Sequence, residues 1–178
     1  MEKLLTIVVP AYNVEKYIKN CLDSLIEISV LRSLEILVVN DGSTDRTPQI
    51  AKTYENKYPY SIKVLSKENG GHGSAINHAI PRATGKYFKV LDGDDWVDKS
   101  QLPKFVELLK HTHSDMISND FNLVDDRTMK VTKSRKAASN SYHYNREWGF
   151  AEAVMDPLVT IHSMTIRTDI LQKNDIRV

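Results

Sequence analysis

A run of acidic residues, Asp92-Gly93-Asp94-Asp95, is the part of the sequence that points most directly to chemistry. Three carboxylates within four residues repel one another at neutral pH, and a divalent cation between them would relieve that repulsion. Carboxylate oxygens suit Mg²⁺ or Mn²⁺, which proteins commonly hold through one or two carboxylates together with substrate phosphates. A solvated acidic turn at the start of a helix is the alternative, and the run taken alone favours that turn.

Three further polar segments each follow a predicted strand, as the acidic run does. They are Pro10-Ala11-Tyr12-Asn13, Asn40-Asp41-Gly42-Ser43 and the Gly-rich loop from Asn69 to Ser74. Ligands of an open parallel sheet bind beyond the carboxyl ends of its strands. We therefore expect the four segments to meet at one edge, and this expected convergence makes the acidic run a strong candidate for a site.

Several residues in these segments have both a binding and a structural interpretation. Asp41 can accept hydrogen bonds from a nucleobase or a ribose, and it can equally close an Asx turn before a helix. Gly71 and Gly73 would let the backbone approach a phosphate at a helix N-terminus, although their loop has neither P-loop nor G-x-G-x-x-G spacing. For His72 and His162, contact with a ligand is the less favoured of the two interpretations.

The elements that must position these residues alternate between strand and helix. The predicted strands are Leu4–Val9, Leu34–Val39, Ile62–Leu65 and Tyr87–Leu91, with a fifth beginning at Met116. Helical apolar spacing follows each of the first four, starting with a helix over 14–28. Four such units in a row predict an α/β fold with a mostly parallel sheet and helices on both faces.

The pattern weakens after about residue 122, where we expect a small antiparallel extension. A short helix is predicted over 147–155, a strand over 160–166 and a second short helix over 168–174. Three hydroxyl side chains stand where helix N-caps are expected: Thr47, Ser100 and Thr168.

Composition limits the possible functions without choosing one. The 178 residues suit a single domain, and 24 basic against 23 acidic side chains give no reason to expect nucleic acid as a partner. The first residues do not have the pattern of a secretory signal, and no apolar run approaches the roughly 20 residues of a membrane span. A cytoplasmic location is expected, with peripheral association at the inner face of the membrane left open.

In their order and spacing, the four segments resemble the motifs of the family 2 glycosyltransferases, which are inverting enzymes with a GT-A fold. The matching stretches run from Ile7 to Asn13, from Ile36 to Asp45, from Asn69 to Asn77 and from Leu91 to Asp95. The resemblance implies a GT-A-like, Rossmann-like mostly parallel sheet in one domain, 1–178. Within it, 1–110 would be the nucleotide-sugar-binding half and 111–178 the start of a truncated acceptor half.

The resemblance also implies roles for individual residues. Asp94 and Asp92 would bind Mg²⁺ or Mn²⁺ with support from Asp95, and the metal would offset charge on the departing nucleoside diphosphate. The residues implied in nucleotide binding are Pro10, Ala11, Tyr12, Asn13, Glu15, Asp41, Gly71, Asp92 and Gly93.

Two departures from the family pattern stand out. The family often has Ala-Arg-Asn where this chain has Ala75-Ile76-Asn77, so an arginine that would contact the nucleotide is missing. An inverting enzyme also needs a general base, and none of the late aspartates has a convincing context. These are Asp156, Asp169 and Asp175. The catalytic base is therefore unassigned and is expected beyond Val178.

The leading hypothesis is a metal-dependent glycosyltransferase that moves a sugar, with inversion, from a nucleotide-diphosphate donor, expected to be a UDP-sugar. The expected acceptor is a saccharide or a lipid-linked molecule. The alternative is a non-catalytic nucleotide-sugar-binding module or an inactive fragment. A nucleotidyltransferase is disfavoured, because Pro10 to Asn13 lacks the Gly-rich basic signature that such an enzyme has after its first strand.

Overall fold

Four parallel strands form the centre of the structure, a computed structural model in which residues 2–135 and 160–178 are described. They are β1 (Leu5–Ala11), β2 (Leu34–Asp41), β3 (Ile62–Lys67) and β4 (Tyr87–Val90), and they lie in the order β3-β2-β1-β4. Every residue of β1, β2 and β4 is buried. Their continuous apolar sequences are typical of strands covered on both faces.

Helices cover both faces of this sheet. They are α1 (Ile18–Leu25), α2 (Thr47–Lys57), α3 (His72–Ala79) and α4 (Leu102–His111), with short 3₁₀ turns at Leu31–Ser33 and Ile80–Arg82. The core on one face contains apolar side chains of α1, α2 and α4, among them Cys21, and the core on the other contains those of α3. The predicted α/β architecture is therefore confirmed.

The later part of the described chain adds antiparallel strands. β5 (Met116–Ser118) is followed by a separate hairpin of β6 (Phe121–Val124) and β7 (Val131–Arg135). The strand β8 (Met164–Arg167) then lies antiparallel between β4 and β5 and leads into the short helix α5 (Thr168–Lys173). This is the small antiparallel extension that the sequence predicts. The helix predicted over 147–155 lies outside the described residues.

Three predicted element boundaries are wrong by three or four residues. The first helix ends at Leu25, not at residue 28. The first helix begins at Ile18, not at residue 14, because the backbone N–H of Val14 donates to the Thr47 hydroxyl at 2.9 Å and anchors a turn outside the helix. The last predicted strand begins at Met164, not at Thr160. Residues 160–163 form a turn instead, in which the Ser163 hydroxyl donates to the Thr160 carbonyl at 2.9 Å.

The three predicted caps are also wrong, since no side-chain hydrogen bond caps α2, α4 or α5. The Thr47 hydroxyl accepts from Val14 and so ties α2 to the end of β1. The Ser100 hydroxyl donates to Asp98 at 2.7 Å, and the Thr168 hydroxyl donates to the carbonyl of Gly85. Each hydroxyl already has a hydrogen-bond partner outside its own helix.

Among the described residues, no helix is both long enough and apolar enough to cross a membrane.

Candidate functional site

The polar segments that follow the parallel strands meet at one edge of the sheet. The backbone N–H of Gly93 donates to the carbonyl of Pro10 at 3.2 Å, which holds the acidic run against the end of β1. A side chain at position 93 would crowd that contact, because its Cβ would lie 3.1 Å from the Pro10 carbonyl oxygen and 3.0 Å from Val14. Glycine at this position therefore allows the close approach of the two segments.

Polar side chains lock the loops after β1 and β2 together. Asn13, which has a positive φ of 54°, accepts a hydrogen bond from the Thr44 N–H at 2.8 Å. Glu15 accepts one from the Arg46 N–H at 3.0 Å. Asn13 and Glu15, both predicted to bind the nucleotide, thus connect the loops after β1 and β2. The third residue, Tyr12, is 51% exposed and presents its ring to solvent.

Asp41 holds the Gly-rich loop. Its carboxylate, only 4% exposed, accepts hydrogen bonds from Lys67 Nζ at 2.6 Å and from the backbone N–H groups of Gly70 and Gly71 at 3.0 and 2.8 Å. Burial raises the pKa of this carboxyl, but these hydrogen bonds outweigh burial and leave the pKa below its ordinary value. Asn40, not Asp41, accepts the hydrogen bond from the Ser43 N–H that closes the turn after β2.

Gly71 gives the loop its shape just before α3. Its φ of 86° and ψ of 169° lie in a region that essentially only glycine adopts. The backbone turns there so that the N–H of Gly71 points at Asp41 while His72 begins the helix.

The acidic run lies between two histidines. His72 Nε2 is 2.7 Å from one carboxylate oxygen of Asp92, and His162 Nδ1 is 3.6 Å from the other. The same His162 nitrogen is 3.7 Å from Asp95. A tight turn brings the two aspartates to one side, because the Asp95 N–H donates to the Asp92 carbonyl at 2.9 Å.

One oxygen each of Asp92 and Asp95 and one nitrogen of His162 lie within 4.8 Å of one another. We call these three residues the acidic–histidine cluster. Within the described part of the chain, the predicted ligand Asp94 is exposed and does not belong to this group. Two carboxylates and one imidazole form a donor set that fits Mn²⁺, and carboxylates alone fit Mg²⁺.

Electrostatics at the cluster favour a bound cation. Burial raises the pKa of Asp95, the negative charges of Asp92 and Asp94 raise it further, and His162 acts in the opposite direction. The carboxylates thus repel one another in the folded chain, as the sequence indicates. A cation held between them would remove that repulsion.

A buried lysine supports the turn that carries His162. Lys89 Nζ donates to the main-chain carbonyl of His162 and to Asn119 Oδ1, both at 2.9 Å, and burial lowers the pKa of this lysine to about 8. The sequence-based predictions did not include this lysine. The signal was a lysine inside the otherwise apolar strand Tyr87–Leu91.

The remaining candidates are placed as follows. Ile76 is buried in the core, at the position where the family often has arginine, and both amide atoms of the Asn77 side chain bond the backbone of Val178 at 2.9 Å. Asp169 pairs with Arg167 and Lys173, and Asp175 pairs with Arg177. Asp156 lies outside the described residues.

Comparison with known proteins gives the family. Residues 6–173 match the family model of Glycosyl transferase family 2. Over 121 residues the chain is 39% identical to the uncharacterized glycosyltransferase EpsJ of Bacillus subtilis, which covers 68% of this chain and 35% of EpsJ. Over 134 residues it is 35% identical to the poly(ribitol-phosphate) beta-N-acetylglucosaminyltransferase TarS of Staphylococcus aureus, which covers 75% of this chain and 23% of TarS. The matched region thus spans about a third or less of these relatives.

Solved structures also resemble this chain. The crystal structure of S. aureus TarS 1-349 in complex with UDP-GlcNAc superposes with a TM-score of 0.70 at 27% identity, covering 98% of this chain and 48% of that one. The mannosyltransferase PcManGT from Pyrobaculum calidifontis, solved with GDP-Man and Mn²⁺, shares the fold with a TM-score of 0.67 at 19% identity, covering 98% of this chain and 47% of that one. The predicted resemblance is confirmed, and the chain belongs to glycosyl transferase family 2.

Proposed function

We propose that this chain binds a UDP-sugar together with a divalent cation and forms the donor-binding part of a metal-dependent glycosyltransferase. The observation that carries the proposal is the acidic–histidine cluster, which lies at the carboxyl edge of the sheet beside the Gly-rich loop. TarS, a family relative solved with UDP-GlcNAc, supports a uridine nucleotide as the donor's leaving group.

The nucleotide would bind where the four loops meet. We assign to its pocket the residues that the family resemblance implies: Pro10, Ala11, Tyr12, Asn13, Glu15, Asp41, Gly71, Asp92 and Gly93. The exposed ring of Tyr12 is available to pack on a base. Asp41 already accepts hydrogen bonds from Lys67, Gly70 and Gly71. A contact between Asp41 and the base would therefore have to share or replace one of these bonds.

The diphosphate would lie at the acidic–histidine cluster. Asp92, Asp95 and His162 would hold the cation, with Asp94 as the further ligand that the family resemblance implies. When bound, the cation supplies Lewis-acid stabilisation of the departing diphosphate. His72, next to Asp92 in the first turn of α3, would add a hydrogen-bond donor where the helix N-terminus already favours an anion.

Transfer would proceed by a single displacement with inversion. The acceptor oxygen attacks the anomeric carbon while the bond from that carbon to the diphosphate oxygen breaks, and a general base takes the acceptor proton. Among the described residues, the late aspartates Asp169 and Asp175 are engaged in ion pairs. The general base therefore stays unassigned.

The acceptor is proposed to be a saccharide or a lipid-linked molecule, reached at the cytoplasmic face of a membrane. Support comes from the names of two relatives. TarS is named as acting on poly(ribitol-phosphate), and GgaB of B. subtilis is named as a minor teichoic acid biosynthesis protein. Poly(ribitol-phosphate) is by its name a polymer, which fits a polymeric acceptor.

Calorimetry tests donor binding. UDP is titrated into the chain with Mn²⁺ and with EDTA, and Asp92→Asn, Asp95→Asn and His162→Ala are compared with Asp98→Asn, an exposed aspartate outside the cluster. We expect Mn²⁺-dependent binding that each cluster variant weakens by about 10-fold or more and the control leaves unchanged. UDP binding of equal strength with Mn²⁺ and with EDTA would contradict the proposal. UDP-sugar binding with no transfer or donor hydrolysis would favour the alternative of a non-catalytic binding module.

A further inference from the structure

Lys89 is a buried charged side chain that the proposed function does not use. It lies in the middle of β4, is 7% exposed, and has the buried apolar residues Phe88 and Val90 on either side. An ammonium group withdrawn from water is costly unless hydrogen bonds compensate it. Its partners should therefore show what the lysine does.

Lys89 donates to two groups among the described residues, one in the turn that carries His162 and one on Asn119, which supports this turn. Lys89 Nζ donates to the His162 main-chain carbonyl and to Asn119 Oδ1, each at 2.9 Å. The Asn119 N–H in turn donates to the Ser163 carbonyl at 2.9 Å. The end of β5 and the turn before β8 are thus joined through one ammonium group. Neither partner is a carboxylate, so these contacts do not neutralise the ammonium charge. They join two segments of the chain instead.

Lys89 is close in sequence to the carboxylates of the acidic–histidine cluster and contacts the backbone of its histidine. Asp92 is three residues after Lys89, and the lysine fixes the backbone of the residue whose imidazole lies 3.6 Å from Asp92 and 3.7 Å from Asp95. The imidazole also lies near the ring of Phe121, with ring centroids 6.0 Å apart and the ring planes tilted by 51°. Movement of the 160–163 turn would carry His162 away from the aspartates and from Phe121 together.

We propose that Lys89 is a positioning residue, which places the His162 imidazole beside Asp92 and Asp95 by holding the main-chain carbonyl of His162. The inference rests on the proposed function, because it gives that cluster its imidazole. It explains how an imidazole on the turn before the antiparallel strand β8 reaches carboxylates that follow the parallel strand β4. Asn119 is the second anchor of the same turn.

NMR of the metal-free chain tests this placement directly. With histidine and phenylalanine rings labelled, the wild type should give a nuclear Overhauser effect between the His162 and Phe121 rings. Lys89→Met, which keeps the stem length and removes the donors, should lose it while the methyl signals of the core around Val8 and Leu37 stay in place. Lys86→Met is the matched control, since Lys86 is an exposed lysine on the same stretch that donates to Thr112. An unchanged effect in Lys89→Met would overturn the proposal.

A second variant covers the case in which Lys89→Met does not fold. Asn119→Ala removes one of the two acceptors at a half-buried position, and it should weaken the same effect by a smaller amount. An effect of wild-type strength in this variant would count against the proposal.

Manganese affinity, measured by electron paramagnetic resonance, adds a readout of the cluster itself. Lys89→Met should bind Mn²⁺ about 10- to 100-fold more weakly than Lys86→Met, the range typical when the support of a ligand is lost. Equal affinities would overturn the role of Lys89 in the cluster. If the wild type binds no Mn²⁺ but the ring contact is still lost in Lys89→Met, the proposed function fails while the positioning of His162 by Lys89 holds.

Discussion

Asp41 joins β2 to the Gly-rich loop through hydrogen bonds from Lys67, Gly70 and Gly71. The sequence placed an aspartate at the edge of the predicted sheet, and its position there is as expected. Its partners lie 26 to 30 residues further along the chain. Local sequence therefore left open whether the residue closes a turn or contacts a base, and it did not suggest the loop anchor that the structure has.

Asp41→Asn should destabilise the chain by about 1–3 kcal/mol at neutral pH, because the amide offers a donor where the buried carboxylate accepts. The pKa of Asp41 is lower in the folded chain than in the unfolded chain. Its stabilising effect is therefore complete above the ordinary aspartate pKa of about 3.9 and is lost as the pH falls through the lower folded value. Urea unfolding of both proteins across this range measures the difference. A difference that does not change with pH would contradict the assignment.

Thr165 should tolerate replacement by valine. Its hydroxyl is fully buried and has no hydrogen-bond partner within residues 2–135 and 160–178, so Thr165→Val should be neutral or stabilising. Thr6→Val is the matched control, since the equally buried Thr6 hydroxyl donates to Glu35 at 2.6 Å and accepts from the Gly85 N–H at 2.9 Å. The control should lose about 1–3 kcal/mol. Similar urea midpoints for the two variants would refute this distinction.

The four parallel strands and the helices that follow them were predictable because their signals are local. Continuous apolar runs such as that of β2 identify buried strands, and four strand–helix units fix a parallel order. The N-cap predictions were wrong because the hydrogen-bond partners of these hydroxyls are distant in sequence. The hydroxyls of Thr47 and Thr168 bond groups 33 and 83 residues away, which no local pattern encodes.

The loop before α3 gives a prediction at the scale of the element. Gly71→Ala should cost about 1–3 kcal/mol, because alanine is strained at this φ and ψ although there is open space for its Cβ. Loosening the loop should also weaken UDP binding, since the N–H of Gly71 is one of the groups that fix it to Asp41. Thermal unfolding and calorimetry measure the two effects. Wild-type stability in this variant would mean that the loop does not need the glycine conformation.

At the scale of the whole molecule, the sheet brings together residues from distant parts of the chain. The four motif segments could be placed at one edge from sequence, because parallel strands end on the same side. His162 could not, since it reaches Asp92 only through the antiparallel pairing of β8 with β4 and the contact from Lys89. The matched region covers 35% of EpsJ.

The central claim is that Asp92, Asp95 and His162 hold a cation next to the donor diphosphate. Crystals grown with UDP and Mn²⁺, measured at the manganese absorption edge, locate the metal by its anomalous scattering. We predict one peak within coordination distance of these three side chains and of the UDP diphosphate, at metal–ligand distances of about 2.0–2.3 Å. A peak bound by Asp94 without His162, or UDP bound with no manganese at the cluster, would contradict it.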